Sequence, residues 1–316
     1  MRRFLAHLFG LELLFVLLWN SGFIGAEYGL PDAGPWSLMF WRYAVLTLIL
    51  GLWLTLRGRL RWPGARAVGH AAIVGVLAHG VWLTCVMLAL ERGAPAGIVA
   101  LVTALQPLVT GALSGPVLGE RTDPRQWVGL LLGFAGVVIA VGARLSLDSP
   151  VPAVAYLLPF LSVAGITIAS LLQRGWARTG NGAALPLDTT LFYQGLATAL
   201  VVAGPAWWLE GFTTDWSPPF IATLAWLILP VSIGAYWAMW RLLARQDATR
   251  VASLFYLSPP VTMLMAWAAF GDTVIASDLM GLAVAAVGVL LVYGGGLRLG
   301  RARTRSTDRS SSSPAD

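Results

Sequence analysis

Two charged side chains stand inside otherwise apolar stretches of this chain, Glu12 and Arg42. A charge in hydrocarbon costs about 2.5–3.5 kcal/mol on insertion scales, so such residues are functional candidates by default. A carboxylate there can carry a proton or hold a substrate amine. A guanidinium there can hold a substrate carboxylate. The plainer readings are an acid bonded to a neighbouring helix or to His7, and an arginine anchoring its helix on backbone carbonyls and on Asn20. Glu12, Val16, Trp19 and Phe23 follow i, i+4, i+7, i+11, so they share one helical face. His79 can relay protons or pack as a hydrogen-bonded core residue. Gln106 and Gln194 can read a polar substrate or bridge two helices. Trp82, Tyr156, Tyr193, Trp237 and Tyr256 suit an aromatic-lined cavity, although many of the 15 tryptophans must serve interfacial belts or packing. No His-Glu-x-x-His pair, Gly-x-Ser-x-Gly elbow or Gly-Lys-Ser/Thr loop occurs. No catalytic residue is assigned, and the chain reads as neither an enzyme nor an ATP-driven pump. The single cysteine, Cys85, and the lack of Cys/His metal spacing give no metal or cofactor site.

The elements that must position these residues are membrane helices. The composition is 57% hydrophobic and 11% charged, with mean hydropathy +0.74. Soluble domains carry roughly 25% charged residues. Apolar blocks of about 20 residues match the hydrocarbon thickness. They predict an all-α polytopic membrane protein with ten spans: 5–25, 35–56, 67–90, 95–118, 125–143, 152–173, 185–208, 219–241, 250–270 and 277–297. With about 1.5 Å of rise per residue, Glu12 and Arg42 enter from opposite sides and are too far apart for a direct ion pair.

All 21 basic residues are arginine, and eighteen fall in alternate connections, with Arg92 and Arg144 on the other side and Arg42 within a span. This positive-inside asymmetry predicts cytoplasmic termini. The net charge of +6 is then a topology signal rather than a nucleic-acid footprint. The tail, residues 298–316, reads as disordered, with arginines that can touch anionic lipid. Met1-Arg2-Arg3 before an apolar run also fits a signal peptide, but an internal repeat favours an uncleaved first span.

That repeat lies at an offset of 152 residues. It pairs Gly119 with Gly271, Gly129 with Gly281, Gly136 with Gly288, Gly142 with Gly294 and Pro107 with Pro259, and Glu120 with Asp272. Spans 4–5 match spans 9–10, so each repeat holds five spans, and an odd number makes the second copy inverted. The expected domains are 1–146 and 147–297. Inverted repeats are typical of secondary transporters with a midplane site. Pro107 and Pro259 can bend spans 4 and 9 at that depth. The charge-rich PVLGERTDP (116–124) reads as a turn, with Gly119 ending one helix and Asp123 capping the next. In the partner turn, Ser277 is the candidate cap.

Trp19-Asn20-Ser21-Gly22-Phe23, Trp41-Arg42-Tyr43, Gln106-Pro107, Ser258-Pro259, Gly119-Glu120-Arg121 and Gly271-Asp272 carry a resemblance to the drug/metabolite transporter superfamily, EamA type. The resemblance implies a ten-span bacterial inner-membrane transporter, usually an exporter of metabolites or amino acids, with a central cavity. Gln106 and Ser258 stand where the family more often has an acid. The expectation is alternating access for a small-molecule substrate, with protons as a candidate coupling ion. A membrane-embedded enzyme or a channel-like pathway is the alternative.

Overall fold

The structure, a computed structural model, describes residues 2–92, 94, 99, 102–120, 122–142, 152–179, 185–271 and 274–309. Among them extended pairing is limited to one isolated bridge, Ala33 to Thr214. The helices are α1 (Arg2–Gly29), α2 (Pro35–Leu56), α3 (Ala65–Gly75, Val76–Val81 and Trp82–Glu91 in succession), α4 (Gln106–Leu118) and α5 (Pro124–Gly142). They continue as α6 (Ala153–Thr179), α7 (Leu187–Glu210), α8 (Pro218–Trp226, Leu227–Ala235 and Tyr236–Arg245), α9 (Ala248–Ser253, Leu254–Leu257 and Ser258–Phe270) and α10 (Ala276–Arg309). Seven helical stretches among the described residues are long and apolar enough to cross a membrane: Gly10–Gly29, Pro35–Leu56, Ala65–Ala89, Ala153–Arg178, Pro218–Arg245, Ala248–Phe270 and Ala276–Tyr293. The chain is an all-α polytopic membrane protein.

Local chemistry explains the helix ends. The first helix runs four residues beyond its expected end, to Gly29, because the first proline comes only at Pro31. α2 starts at Pro35, whose missing N–H costs nothing in a first turn. The next two N–H groups, of Trp36 and Ser37, donate to the Glu210 carboxylate at 3.0 and 2.7 Å. The end of α7 thus caps the start of α2. Asp123 and Gln126 form a reciprocal cap on α5: Gln126 N donates to Asp123 Oδ1 (2.8 Å) and Asp123 N to Gln126 Oε1 (2.9 Å). On α10 the cap expected of Ser277 belongs to Asp278, whose carboxylate accepts from Ile275 N at 2.9 Å. Gln126 and Asp278 are themselves 152 residues apart. α10 is described as far as Arg309, and residues 310–316 of the tail lie outside the described ones.

The same offset recurs in backbone geometry. Gln106–Leu118 and Ser258–Phe270 are both 13 residues long and 152 apart. They end on Gly119 (φ 66°, ψ 16°) and Gly271 (φ 76°, ψ 19°), both left-handed. Asp272, the partner of Glu120, lies outside the described residues. Pro107 and Pro259 stand in the first turn of these two segments, after a tight 102–105 turn and after the 3₁₀ stretch Leu254–Leu257. The break in each helix precedes the proline; the ring fixes φ for the segment that follows. The π-helical stretches Val76–Val81 and Leu227–Ala235 also coincide at this offset.

α5 and α10 form the most extensive helix pair. A Cβ built on Gly129 would lie 2.6 Å from Gly288 O, and one on Gly136 would lie 2.7 Å from Gly281 O. Both contacts return: Gly288 meets Gly129 O and Gly281 meets Gly136 O, each at 2.6 Å. Any side chain here must push the helices apart. Gly136→Val should therefore cost about 1–3 kcal/mol by overpacking and lower the melting temperature of the detergent-purified protein. Gly142→Ala, with nothing within 4 Å of its built Cβ, should not lower it.

Candidate functional site

A cavity of about 360 Å³ opens among α1, α2, α3 and α8. Its floor is aromatic. Trp19 lies 5.0 Å from Trp82 and 5.1 Å from Tyr236, ring centre to ring centre. Val231, Met87 and Arg42 stand in its walls, and the exposed Glu27 marks its mouth. Beneath Trp19, Phe15 and Phe255 pack at 5.3 and 5.1 Å. Phe15 is buried and Phe255 partly buried, and the two back the floor of the cavity.

Arg42 is 2% exposed, and its Nε donates to Ser232 Oγ at 2.8 Å. The Ser232 hydroxyl in turn donates a hydrogen bond to Leu227 O at 2.9 Å. That carbonyl belongs to the π-helical stretch of α8, where the wider i→i+5 winding leaves carbonyls for side-chain donors. Tyr236 OH likewise donates to Ala78 O at 2.7 Å, in the π-helical stretch of α3. A desolvated guanidinium needs hydrogen-bond acceptors or counter-charge. A carboxylate entering the cavity can supply both, in the bidentate geometry that arginine favours. The predicted link from Arg42 to Asn20 is not formed. The amide of Asn20 donates to Val16 O (2.6 Å) and accepts from Thr262 (3.1 Å), which ties α1 to α9 instead.

The predicted face of α1 divides. Trp19 and Phe23 line the cavity, while Glu12 lies below the aromatic floor, buried, accepting from Gln246 Nε2 at 2.8 Å. Glu12 is thus a buried acid on the opposite side of the plug, tied to the α8–α9 connection. The His7 side chain lies outside the described residues. Gln106 is buried and donates to Thr110 on its own helix at 3.1 Å, and Tyr256 packs against Gly133; neither lines the cavity. Tyr193 is buried near Trp62, and Trp237 is exposed.

His79 and Gln194 are brought together behind Tyr236. His79 Nε2 and Gln194 Oε1 are 3.2 Å apart, and the imidazole ring centre is 4.0 Å from that of Tyr236. Gly75 permits this approach, since any Cβ there would meet the Gln194 backbone at 2.5–2.9 Å.

The far end is closed by charge. Glu120 accepts from Arg174 Nε at 2.8 Å, from Arg178 at 3.3 Å and from Ala248 N at 3.2 Å. Arg174 also reaches Asp247 at 3.6 Å and Leu243 O at 2.9 Å. The turn predicted from PVLGERTDP is therefore also the hub of an inter-helix ion cluster. Arg121 lies outside the described residues.

Glu27, Tyr236 and Ser232 were not singled out from the sequence. For Glu27 the signal was present. The stripe Glu12, Val16, Trp19, Phe23 continues at i+4 to Glu27, past the predicted end of the span. Ser232 sits in a π-helical stretch and Tyr236 directly after it, where a 3.6-residue periodicity misplaces the faces.

The chain matches the EamA-like transporter family over residues 6–142 and 177–294. It is 27% identical over 293 residues to an uncharacterized inner membrane transporter, YedA, of Escherichia coli K12, covering 92% of both chains. It is 24% identical to a probable amino-acid metabolite efflux pump of Salmonella typhimurium, over 90% of this chain and 94% of that one. It is 27% identical to a probable terminal-alkyne amino-acid exporter of Streptantibioticus cattleyicolor, over 93% and 95%. One crystal structure superposes with a TM-score of 0.75 at 23% identity, over 92% of this chain and 97% of that chain, which shows the fold alone.

The cavity geometry can be checked without knowing a ligand. In a Cys85→Ala background, Met87→Cys should react with a water-soluble methanethiosulfonate reagent, and Phe15→Cys, beneath the floor, should not. Equal reactivity at both positions would remove the aromatic floor as a barrier.

Proposed function

The chain belongs to the EamA-like transporter family, and on that premise we propose that it is a secondary exporter of small amino-acid-like metabolites working by alternating access. The observation that carries this reading is Arg42, desolvated in the wall of a one-ended cavity with an aromatic floor. Arg42 holds the substrate carboxylate, and Trp19, Trp82 and Tyr236 take its apolar part. The two relatives named for amino-acid metabolites are compatible with that chemistry.

The proposal includes ten spans built as two inverted five-span repeats, 1–146 and 147–297, in a bacterial inner membrane with both termini cytoplasmic. The reciprocal glycine contacts support the repeat. Gly129 meets Gly288 and Gly136 meets Gly281, and the offset of 152 converts one pair into the other. Such exchange of partners is the mark of a two-fold axis. On this topology the cavity faces outward, and the Glu120 cluster closes the cytoplasmic side. Glu12, on the cytoplasmic side of the plug, is the proposed proton-coupling acid, and Gln246 is its hydrogen-bond partner in this state.

The test is counterflow in proteoliposomes with a panel of amino acids, with and without a pH gradient. Saturable, trans-stimulated flux is expected, and flux that neither saturates nor responds to trans substrate rejects the carrier. Arg42→Gln removes a charge-assisted contact and should lower counterflow about 10–100-fold. Glu12→Gln should keep counterflow and lose its response to the pH gradient. An unchanged response would assign Glu12 a structural role.

A further inference from the structure

Resting on the inverted-repeat carrier described above, we propose that Gln194 and His79 form the second half of the substrate site, concealed in this state and exposed when the carrier opens toward the Glu120 end. The offset of 152 assigns each cavity residue a mate in the other repeat. The mate of Arg42 is Gln194, and that of Val231 is His79. Arg42 bonds Ser232 beside Val231, and Gln194 bonds His79. The two polar pairs thus occupy corresponding places, each with one member, Ser232 or His79, in a π-helical stretch. They lie back to back, with the Tyr236 ring against His79 and facing the cavity on its other side.

The hydrogen bonds around Gln194 point to a ligand independently of the repeat. Trp240 Nε1, which can only donate, lies 3.3 Å from Gln194 Oε1. The amide oxygen therefore faces both Trp240 and His79, and His79 Nε2 must carry the proton. That leaves Gln194 Nε2 as a donor and His79 Nδ1 as an acceptor. Neither has a hydrogen-bond partner among the described residues, although Gln194 is 0% and His79 1% exposed. Buried polar groups are rarely left unmatched. A zwitterionic amino acid supplies both missing partners. Its carboxylate accepts from the Gln194 amide, and its ammonium donates to His79 Nδ1. The substrate would pass from Arg42 and Ser232 on one side of Tyr236 to Gln194 and His79 on the other.

The opening that exposes this half-site is set by the same correspondence. Gly22, in the cavity wall, has Arg174 as its mate, and Ala26 has Arg178. Opening the Glu120 end would free these arginines from Glu120 and bring them to the mouth of the second half-site.

Sided kinetics test this. In oriented proteoliposomes, Gln194→Asn should raise the half-saturation concentration of the transported amino acid about tenfold on the Glu120 side and leave it unchanged on the Glu27 side. An equal rise on both sides, a rise only on the Glu27 side, or no change overturns the half-site. If Gln194→Asn is folded but inert, equilibrium binding decides. Retained binding at the Arg42 half-site supports the proposal, and lost binding overturns it. A second measurement leaves both residues intact. Thr84, the mate of Tyr236, is replaced by cysteine in the Cys85→Ala chain and treated with an impermeant methanethiosulfonate. Labelling from the Glu120 side that accelerates during counterflow is expected. Labelling from the Glu27 side alone, or none during active counterflow, overturns it. Absence of counterflow in the unmodified chain across the amino-acid panel would instead reject the carrier reading, and the half-site would fall with it.

Discussion

Everything in this molecule is organised around a contact in which two helices meet backbone to backbone. Inside lipid there is no hydrophobic force between apolar helices, so close packing and the fit of small residues decide which helices associate. α5 and α10 meet at Gly129, Gly136, Gly281 and Gly288, where the built Cβ atoms would overlap the facing carbonyls. This spine lies away from the cavity, which is lined by α1, α2, α3 and α8. The division of labour follows from packing. A glycine-on-backbone contact has no slack to slide, whereas the aromatic cluster around Trp19 can repack by turning rings.

The second organising feature is the loosened winding of α3 and α8. Most spans satisfy their backbone internally, as the bilayer requires. The two π-helical stretches break that economy and present carbonyls to side chains. Leu227 O accepts from Ser232 and Ala78 O from Tyr236. Arg42 leans on the first of these bonds. A cation can therefore be held at depth because the helix beside it has been unwound enough to supply acceptors. The cost of burying Arg42 and the cost of distorting α8 offset one another, since the distortion provides what the charge lacks.

Much of this was legible in the sequence. The glycines of the spine declared themselves by their spacing, because only glycine permits the contact and its position is therefore sharply specified. The polar residues in apolar runs also declared themselves, because the membrane makes them conspicuous. What periodicity could not resolve was which of those residues share a space. Glu12 and Trp19 lie on one face of α1, yet an aromatic plug separates the acid from the cavity. Asn20 lies close to the depth of Arg42 but turns to Thr262. Depth and face are helix-local quantities, whereas partnership depends on how helices rotate against each other. Ser232 and Tyr236 were hidden for a further reason, since a π-helical stretch shifts the register on which face assignments rely.

On the inverted repeat proposed above, the two ends of the molecule differ in the residues placed at equivalent positions. At the closed end, Arg174 and Arg178 converge on Glu120, whose side chain is 9% exposed, and Arg174 also reaches Asp247. A shared, largely desolvated carboxylate binds two guanidiniums more strongly than isolated surface pairs, which contribute about 0–1 kcal/mol each. At the open end, the positions matching those arginines hold Gly22 and Ala26, which offer no charge and little bulk. On that proposed correspondence, the same position is a clamp in one half and an aperture in the other. Two copies of one fold need not be isoenergetic when inverted. On the proposed carrier, the side chains at a few matched positions favour the conformation open at Glu27. On the proposed alternating-access cycle, opening the other way would require a substrate with enough differential affinity to separate Glu120 from Arg174, which would make the ion cluster a threshold for transport as well as a seal.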